Sequence, residues 1–320
     1  MSGPATAQPR TAEIEAHVDI LMHGAIDLHC HSGPSTMPRL VDHQAAFEQA
    51  AAAGMRAILF KDHYYPTGPF AEMLKERFPG RATEPIGSVV LNNAVGGLNP
   101  YAVEHALKVG GRMVWMPTQS AANHIREGHR KVLLATKTPM RKPTAITILT
   151  PHGELLPEVG EVLDVVAQYD ATLSSGHLHI SEIWPLFDEA RRRGVKRLVV
   201  NHPTYTVGAS FADLKELAGQ GVWLEHSICM FVPGRFQCFG TAHLQDVLKA
   251  GTLAQSFFGS DLGQINNPTP VEGFRELIRL LLNLGFSQDE IRRLTGDNAA
   301  EAIGLASNAR VAVQTFEQAV

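Results

Sequence analysis

Two histidines separated by one residue close the apolar run Ile26-Asp27-Leu28-His29-Cys30-His31. In a strand, side chains alternate between faces, so His29 and His31 share a face and Cys30 points away. The two imidazoles then stand about 7 Å apart along the strand, close enough to share one metal ion. Other apolar runs also end in metal-capable side chains: Asp62 and His63, His177, His202, Glu225 with His226, and Asp261. Fifteen histidines in 320 residues are the compositional oddity, and many fall at such ends. Neutral imidazoles with carboxylates suit Zn, Mn or Fe better than Mg or Ca, which prefer all-oxygen shells. A metal held this way acidifies water and polarises a carbonyl or phosphoryl oxygen.

The elements that must position these residues alternate along the chain. Strands are expected at 25–31, 57–63, 88–95, 113–118, 171–177, 197–202, 222–227 and 256–261. Most are continuous apolar runs, as in parallel strands buried on both faces. Helix signals lie between them. Asp42 caps one helix, which stops at Gly54, and Asn99-Pro100 starts another. Ser181-Glu182, Thr269-Pro270 and the capping box at Ser287 start three more. Eight βα units predict a (β/α)8 barrel of the TIM type, whose active site lies at the C-terminal ends of the strands. The polar termini of strands one, two, five, six, seven and eight then meet at one mouth. There His29, His31, His177, His202 and Asp261 form the expected metal set.

The 119–170 stretch is longer than one crossover needs. An insert is expected over about 119–156, with a basic helix at 121–134 and a hairpin at 144–155, before a helix at 158–169. His124 and His129 on the insert helix read as surface or interface residues. Residues 1–20 read as a disordered or loosely attached tail, and 21–320 as one barrel domain. A net charge of −4 argues against nucleic acid or an anionic membrane as partner, and no apolar run is long enough to span a bilayer. The start lacks a signal-peptide profile. The cysteines, Cys30, Cys229 and Cys238, are odd in number without CxxC spacing, so a reducing cytoplasm is the expected location. A small-molecule substrate is expected as partner, and a homo-oligomer is left open.

The ordered pattern resembles the amidohydrolase superfamily. The matching pieces are Asp27-Leu28-His29-Cys30-His31, Ser175-Gly176-His177, Asn201-His202-Pro203 and Gly259-Ser260-Asp261, with the closing segment Asp297-Asn298-Ala299-Ala300-Glu301. The resemblance implies a metal-dependent hydrolase barrel. Binuclear members place a carboxylated lysine or a glutamate on strand four, where this chain has Met113-Val114-Trp115-Met116-Pro117-Thr118. Lys61 or Asp62 is then a candidate substitute, and Lys61 is equally a candidate substrate-anchoring cation. His29-Cys30-His31-Ser32 followed by Lys61-Asp62-His63 also resembles the polymerase-and-histidinol-phosphatase family, although the Asp-x-His expected late in the chain is Asp261-Leu262-Gly263.

The expected activity is hydrolysis of an amide, ester or lactone bond in a small molecule by metal-activated water, with one or two ions, Zn foremost, and Mn or Fe as alternatives. Asp261 is the expected general base. His202 binds a second metal or polarises the substrate, and His63 binds metal or hydrogen-bonds the scissile group. Tyr64, Tyr65, His179, Tyr205 and Glu225 are the expected substrate contacts, and Arg126, Arg130 or Arg235 is a candidate carboxylate anchor. A phosphoesterase, a decarboxylase or hydratase, and a non-catalytic metal-binding barrel are the alternatives.

Overall fold

The computed structural model describes residues 10–128, 136 and 138–306. Eight strands form one parallel sheet in sequence order: β1 (Ile26–Cys30), β2 (Ala57–Phe60), β3 (Glu84–Val90), β4 (Gly111–Trp115), β5 (Thr172–Ser174), β6 (Arg197–Asn201), β7 (Trp223–Ser227) and β8 (Ser256–Gly259). The sheet curls until β8 returns to β1, where His31 N donates to Leu262 O at 2.8 Å and Asp261 N to His29 O at 2.8 Å. This is the expected (β/α)8 barrel. All eight strands lie on the apolar runs, but β3 is displaced to Glu84–Val90, and β2 and β5 stop three residues early, at Phe60 and Ser174, so that His63 and His177 follow their strands instead of ending them.

Helices surround the sheet: α1 (Ala12–Met22), α2 (His43–Ala52), α3 (Gly68–Arg77), α4 (Pro100–Lys108), α5 (Ala122–Glu127), α6 (Pro157–Gln168), α7 (Ile180–Arg192), α8 (Phe211–Gly219), α9 (Thr241–Gly251), α10 (Pro270–Asn283), α11 (Gln288–Arg292) and α12 (Asn298–Ile303). The predicted caps are present. Asp42 accepts from Ala45 N at 2.7 Å, Asn99 accepts from Tyr101 N, and Ser287 closes a capping box with Glu290. Strand alternation sorts the core into two layers. Ile58, Phe60, Val114, Leu224 and Phe258 face the helices. Leu28, Leu59, Trp115 and Phe257 fill the barrel, and α12 seals its lower end with Ala299 and Ile303. No helix among the described residues is long and apolar enough to cross a membrane.

Two expectations change. Residues 12–22 are not a loose tail. Thr11 caps α1, and Val18, Leu21 and Met22 lie at i, i+3 and i+4 and bury against the barrel. Arg279 of α10, only 2% exposed, grips Glu15 of α1 through both Nε (2.7 Å) and Nη2 (2.8 Å). Residues 1–9 lie outside the described residues. The insert helix is described only as α5 (Ala122–Glu127), and its expected continuation over 129–134 lies outside the described residues. The hairpin reduces to one antiparallel bridge, Leu149 to Leu155, while Ile146 bridges in parallel to Ala121.

The Glu15–Arg279 grip generates a stability prediction. The Arg279 hydrogen bond holds the Glu15 carboxyl below its ordinary value of 4.5. A lowered acid contributes stability above its unfolded-state pKa and loses it as pH falls through the folded-state value. Because Glu15 is partly exposed, Glu15→Gln should cost only about 1 kcal/mol at neutral pH. In urea unfolding, the gap between wild type and variant should close in acid. A gap that stays constant with pH would contradict the assignment.

Candidate metal centre

The end of β1 and the end of β8 build the centre together. Asp27 is fully buried, and its Oδ1 accepts from His29 N at 2.9 Å and from Ser260 N at 2.8 Å. One carboxylate oxygen thus ties the two strands across the seam. Beyond it, His29, His31 and Asp261 present donor atoms that all lie within 4.8 Å of one another. Asp261 Oδ1 is 3.3 Å from His29 Nε2 and 3.1 Å from His31 Nε2. Two backbones at this mouth are left-handed without being glycine, at His202 (φ 34) and Asp261 (φ 49). Such conformations persist where the surrounding structure enforces them, commonly at functional sites.

The far nitrogens of both imidazoles are occupied. His29 Nδ1 meets the two oxygens of Glu225 at 2.9 and 3.0 Å. His31 Nδ1 lies 3.0 Å from the Lys61 carbonyl. A carbonyl oxygen only accepts, as does an ionised carboxylate, so each Nδ1 carries the proton and each Nε2 keeps its lone pair. Burial pushes the pKa of His31 down to about 3, which leaves its ring neutral. His31 Nε2 and Asp261 Oδ1 therefore face each other across 3.1 Å as two acceptors with no proton to share. A cation resolves that conflict, and two imidazoles and a carboxylate are a fitting donor set for a divalent transition metal.

The other strand ends supply the cavity. Lys61 projects inward from β2, with Nζ 2.9 Å from His29 Nε2 and 3.9 Å above the Trp115 ring. Trp115 is the inward residue of β4, so the aromatic face stands where a strand-four ligand would be. Burial lowers the Lys61 pKa to about 8. His63 Nδ1 pairs with Thr118 Oγ1 at 2.9 Å, and Asn92 donates to the same hydroxyl at 2.8 Å. His177 Nδ1 lies 2.7 Å from His124 Nδ1, and Asn201 Nδ2 lies 2.8 Å from His202 Nε2. Burial also pushes the pKa values of His63, His177 and His202 well down.

The structure thus gathers His29, His31, His63, Lys61, His177, His202, Tyr205 and Asp261 around one cavity of about 230 Å³. His177 and His202, expected as metal ligands, line it but stand outside the compact triad. Other expected contacts are elsewhere. Glu225 is 1% exposed, bonds His29 Nδ1 and is not among the residues that line the cavity. His179 caps α7, accepting from Ser181 N, because the chain turns at Gly176 (φ 58) and β5 does not continue. A Cβ at Gly176 would lie 2.2 Å from the Met116 carbonyl, so only glycine makes that turn. Tyr65 packs on His43 and Phe70 and bonds the Pro34 carbonyl, away from the cavity. Tyr64 bonds Gln119 at 3.0 Å and lines a neighbouring cleft. Arg126 bonds Asn123, Arg235 lines the cavity, and His129 and Arg130 lie outside the described residues.

Sequence reading missed several residues here. His124 is 2% exposed, buried within the chain itself where a surface or interface position was expected. Asn92 and Thr118 carried no metal-type signal, and Arg39, 5% exposed at the cavity wall, sits in a loop without periodicity.

The barrel is similar to solved structures of several hydrolases. A probable dipeptidase from Pseudomonas aeruginosa superposes with a TM-score of 0.63 at 10% identity, covering 92% of this chain and 98% of that one. An amidohydrolase from the same organism gives 0.57 at 12% identity over 92% and 98%. A TatD homologue from Escherichia coli gives 0.53 at 18% identity over 89% and 100%. At these identities the likeness establishes the fold, a (β/α)8 barrel, and nothing beyond it. A comparison with curated proteins finds no match. A family model matches residues 24–225, and the chain belongs to the family of unknown function DUF6282.

Proposed function

We propose that this protein is a metal-dependent hydrolase acting on a small molecule with an amide, ester or lactone bond. One observation carries the reading: His29 Nε2 and His31 Nε2 converge on Asp261 Oδ1 while their Nδ1 atoms are held by Glu225 and the Lys61 carbonyl. The solved structures of similar fold, an amidohydrolase and a probable dipeptidase among them, support the same class of chemistry. His29, His31 and Asp261 would hold the ion, with zinc the best match to the donor set. When bound, such a metal supplies Lewis acidity and brings water ionisation toward neutral pH.

The chain's own groups supply the rest. Asp261 is an acceptor at the centre of the cluster, positioned to take a proton from the attacking water and return it to the leaving group. Glu225 fixes the His29 tautomer and raises the basicity of its Nε2. Lys61, whose pKa near 8 lies close to neutrality, donates toward the reacting oxygen from the Trp115 face. His177 and His202 also line the cavity, where His202 would polarise the substrate carbonyl. Buried walls keep bulk water from the site.

Elemental analysis of the purified protein should find at least one transition metal per chain. Chelation should lower the melting temperature, and added zinc should restore it, because a ligand of the native state stabilises it by mass action. Protein that is metal-free as purified and unresponsive to added zinc would contradict the reading. Asp261→Asn should cut turnover of aryl esters or lactones about 100-fold or more with the fold intact by circular dichroism, and near-normal turnover would remove Asp261 as base. Glu225→Gln should weaken zinc binding roughly 10- to 100-fold, measured by competition with a chromogenic chelator, while an unchanged affinity would show that Glu225 does not support the ligand.

A further inference from the structure

The walls of the cavity differ by origin. Strand ends supply His29, His31, Lys61 and Asp261, and the loops beyond those ends supply Met37, Tyr205, Met230 and Phe236. In a barrel these loops lie outside the strand termini, so the triad forms a floor and the apolar side chains stand above it. The amides in this wall are already engaged by the protein. Gln119 donates to Met37 Sδ at 3.5 Å and accepts from the Tyr64 hydroxyl at 3.0 Å. Gln264 donates to the Asp261 carbonyl at 3.1 Å and accepts from Asn267 at 3.4 Å. Gln237 donates to the Phe231 carbonyl at 3.3 Å. Arg39 stands 3.6 Å from the Asp62 carboxylate, and Arg235 is exposed to solvent. What the upper wall offers a ligand is therefore mostly carbon and sulfur.

That wall is held in place by its own backbone. Cys238 N and Phe239 N both donate to Met230 O, at 3.1 and 3.0 Å, which folds the loop after β7 back on itself. Arg235 N donates to Asn267 Oδ1 at 2.8 Å and ties that loop to the segment after β8. Tyr205 N donates to His202 O at 3.1 Å. A wall fixed in this way needs little ordering when a ligand arrives. We propose that the substrate carries an apolar group about the size of one aromatic ring beside its scissile carbonyl. The ring is seated against Met37, Tyr205, Met230 and Phe236 while the carbonyl lies over His29, His31 and Asp261. Aromatic edges and thioethers both pack well on a ring. The size agrees, since an apolar cavity of about 150 Å³ takes up benzene. The volume of about 230 Å³ here adds space for the scissile group. This rests on the hydrolase reading and narrows its substrates to small aryl or similarly bulky apolar acyl compounds.

The test compares benzohydroxamate with acetohydroxamate, the same metal-binding head carried on a phenyl ring or on a methyl group. Each is titrated calorimetrically into zinc-supplemented wild type, Phe236→Ala and Met230→Gln. Wild type should prefer benzohydroxamate by about tenfold or more, the gain expected from burying a ring. Phe236→Ala removes one face of the seat and Met230→Gln makes another polar at similar volume, so each should reduce the preference about threefold or more. The Phe236→Ala comparison stands even where Met230→Gln does not fold. Equal binding of the two probes by wild type, or a preference undiminished in the variants, overturns the inference. Zinc content is measured in the same samples. Zinc-loaded protein without a phenyl preference overturns this inference and leaves the hydrolase reading in place. A phenyl preference that depends on Phe236 in protein that holds no zinc overturns the hydrolase reading and leaves the apolar seat. Protein with neither overturns both.

Discussion

The seam between β1 and β8 is the constraint on which the rest depends. Asp27 holds His29 N and Ser260 N with one oxygen, and the backbone bonds from Asp261 to His29 and from His31 to Leu262 complete the closure. Each bond that closes the barrel also sets a residue of the triad. The site is thus made by the same contacts that make the fold, and it needs no separate loop to assemble it. Closure brings Asp261 against two histidines that precede it by more than 200 residues. The left-handed backbone at Asp261 is where the chain leaves the seam, held there by the paired amides around it.

Tautomer control follows from that geometry. An imidazole with both nitrogens free would turn either toward the cavity. Glu225 and the Lys61 carbonyl remove that freedom, and burial removes the charged form of His31. The result is a set of lone pairs aimed at one point: Lys61 Nζ meets that of His29, while His31 Nε2 and Asp261 Oδ1 face each other without a proton between them. Trp115 completes the picture on β4. Its ring fills the inward position at the end of that strand and offers its face to Lys61, whose Nζ lies 3.9 Å above it.

Much of this was legible in the sequence because parallel strands buried on both faces leave a plain record: apolar runs that stop at a polar residue. Those stops located His29, His31, His177, His202 and Asp261. The partners of those residues were not legible. Glu225 reads as an acid at a strand end, and its service to His29 is visible only when the barrel closes. His179 looked like a continuation of the His177 face, but the positive φ at Gly176 turns the chain into a helix cap. Arg39 lies in an aperiodic loop, and a single arginine there has no pattern to announce it. The α1 stripe of Val18, Leu21 and Met22 was present in the sequence but masked by the Pro- and Ala-containing start.

The central claim is that His29, His31 and Asp261 bind one ion between them. Anomalous diffraction at the zinc edge, from crystals grown with the metal, tests it most directly. The account predicts a peak about 2.0–2.2 Å from His29 Nε2, His31 Nε2 and an Asp261 oxygen. A peak elsewhere, or none with His31 and Asp261 still in contact, would contradict it.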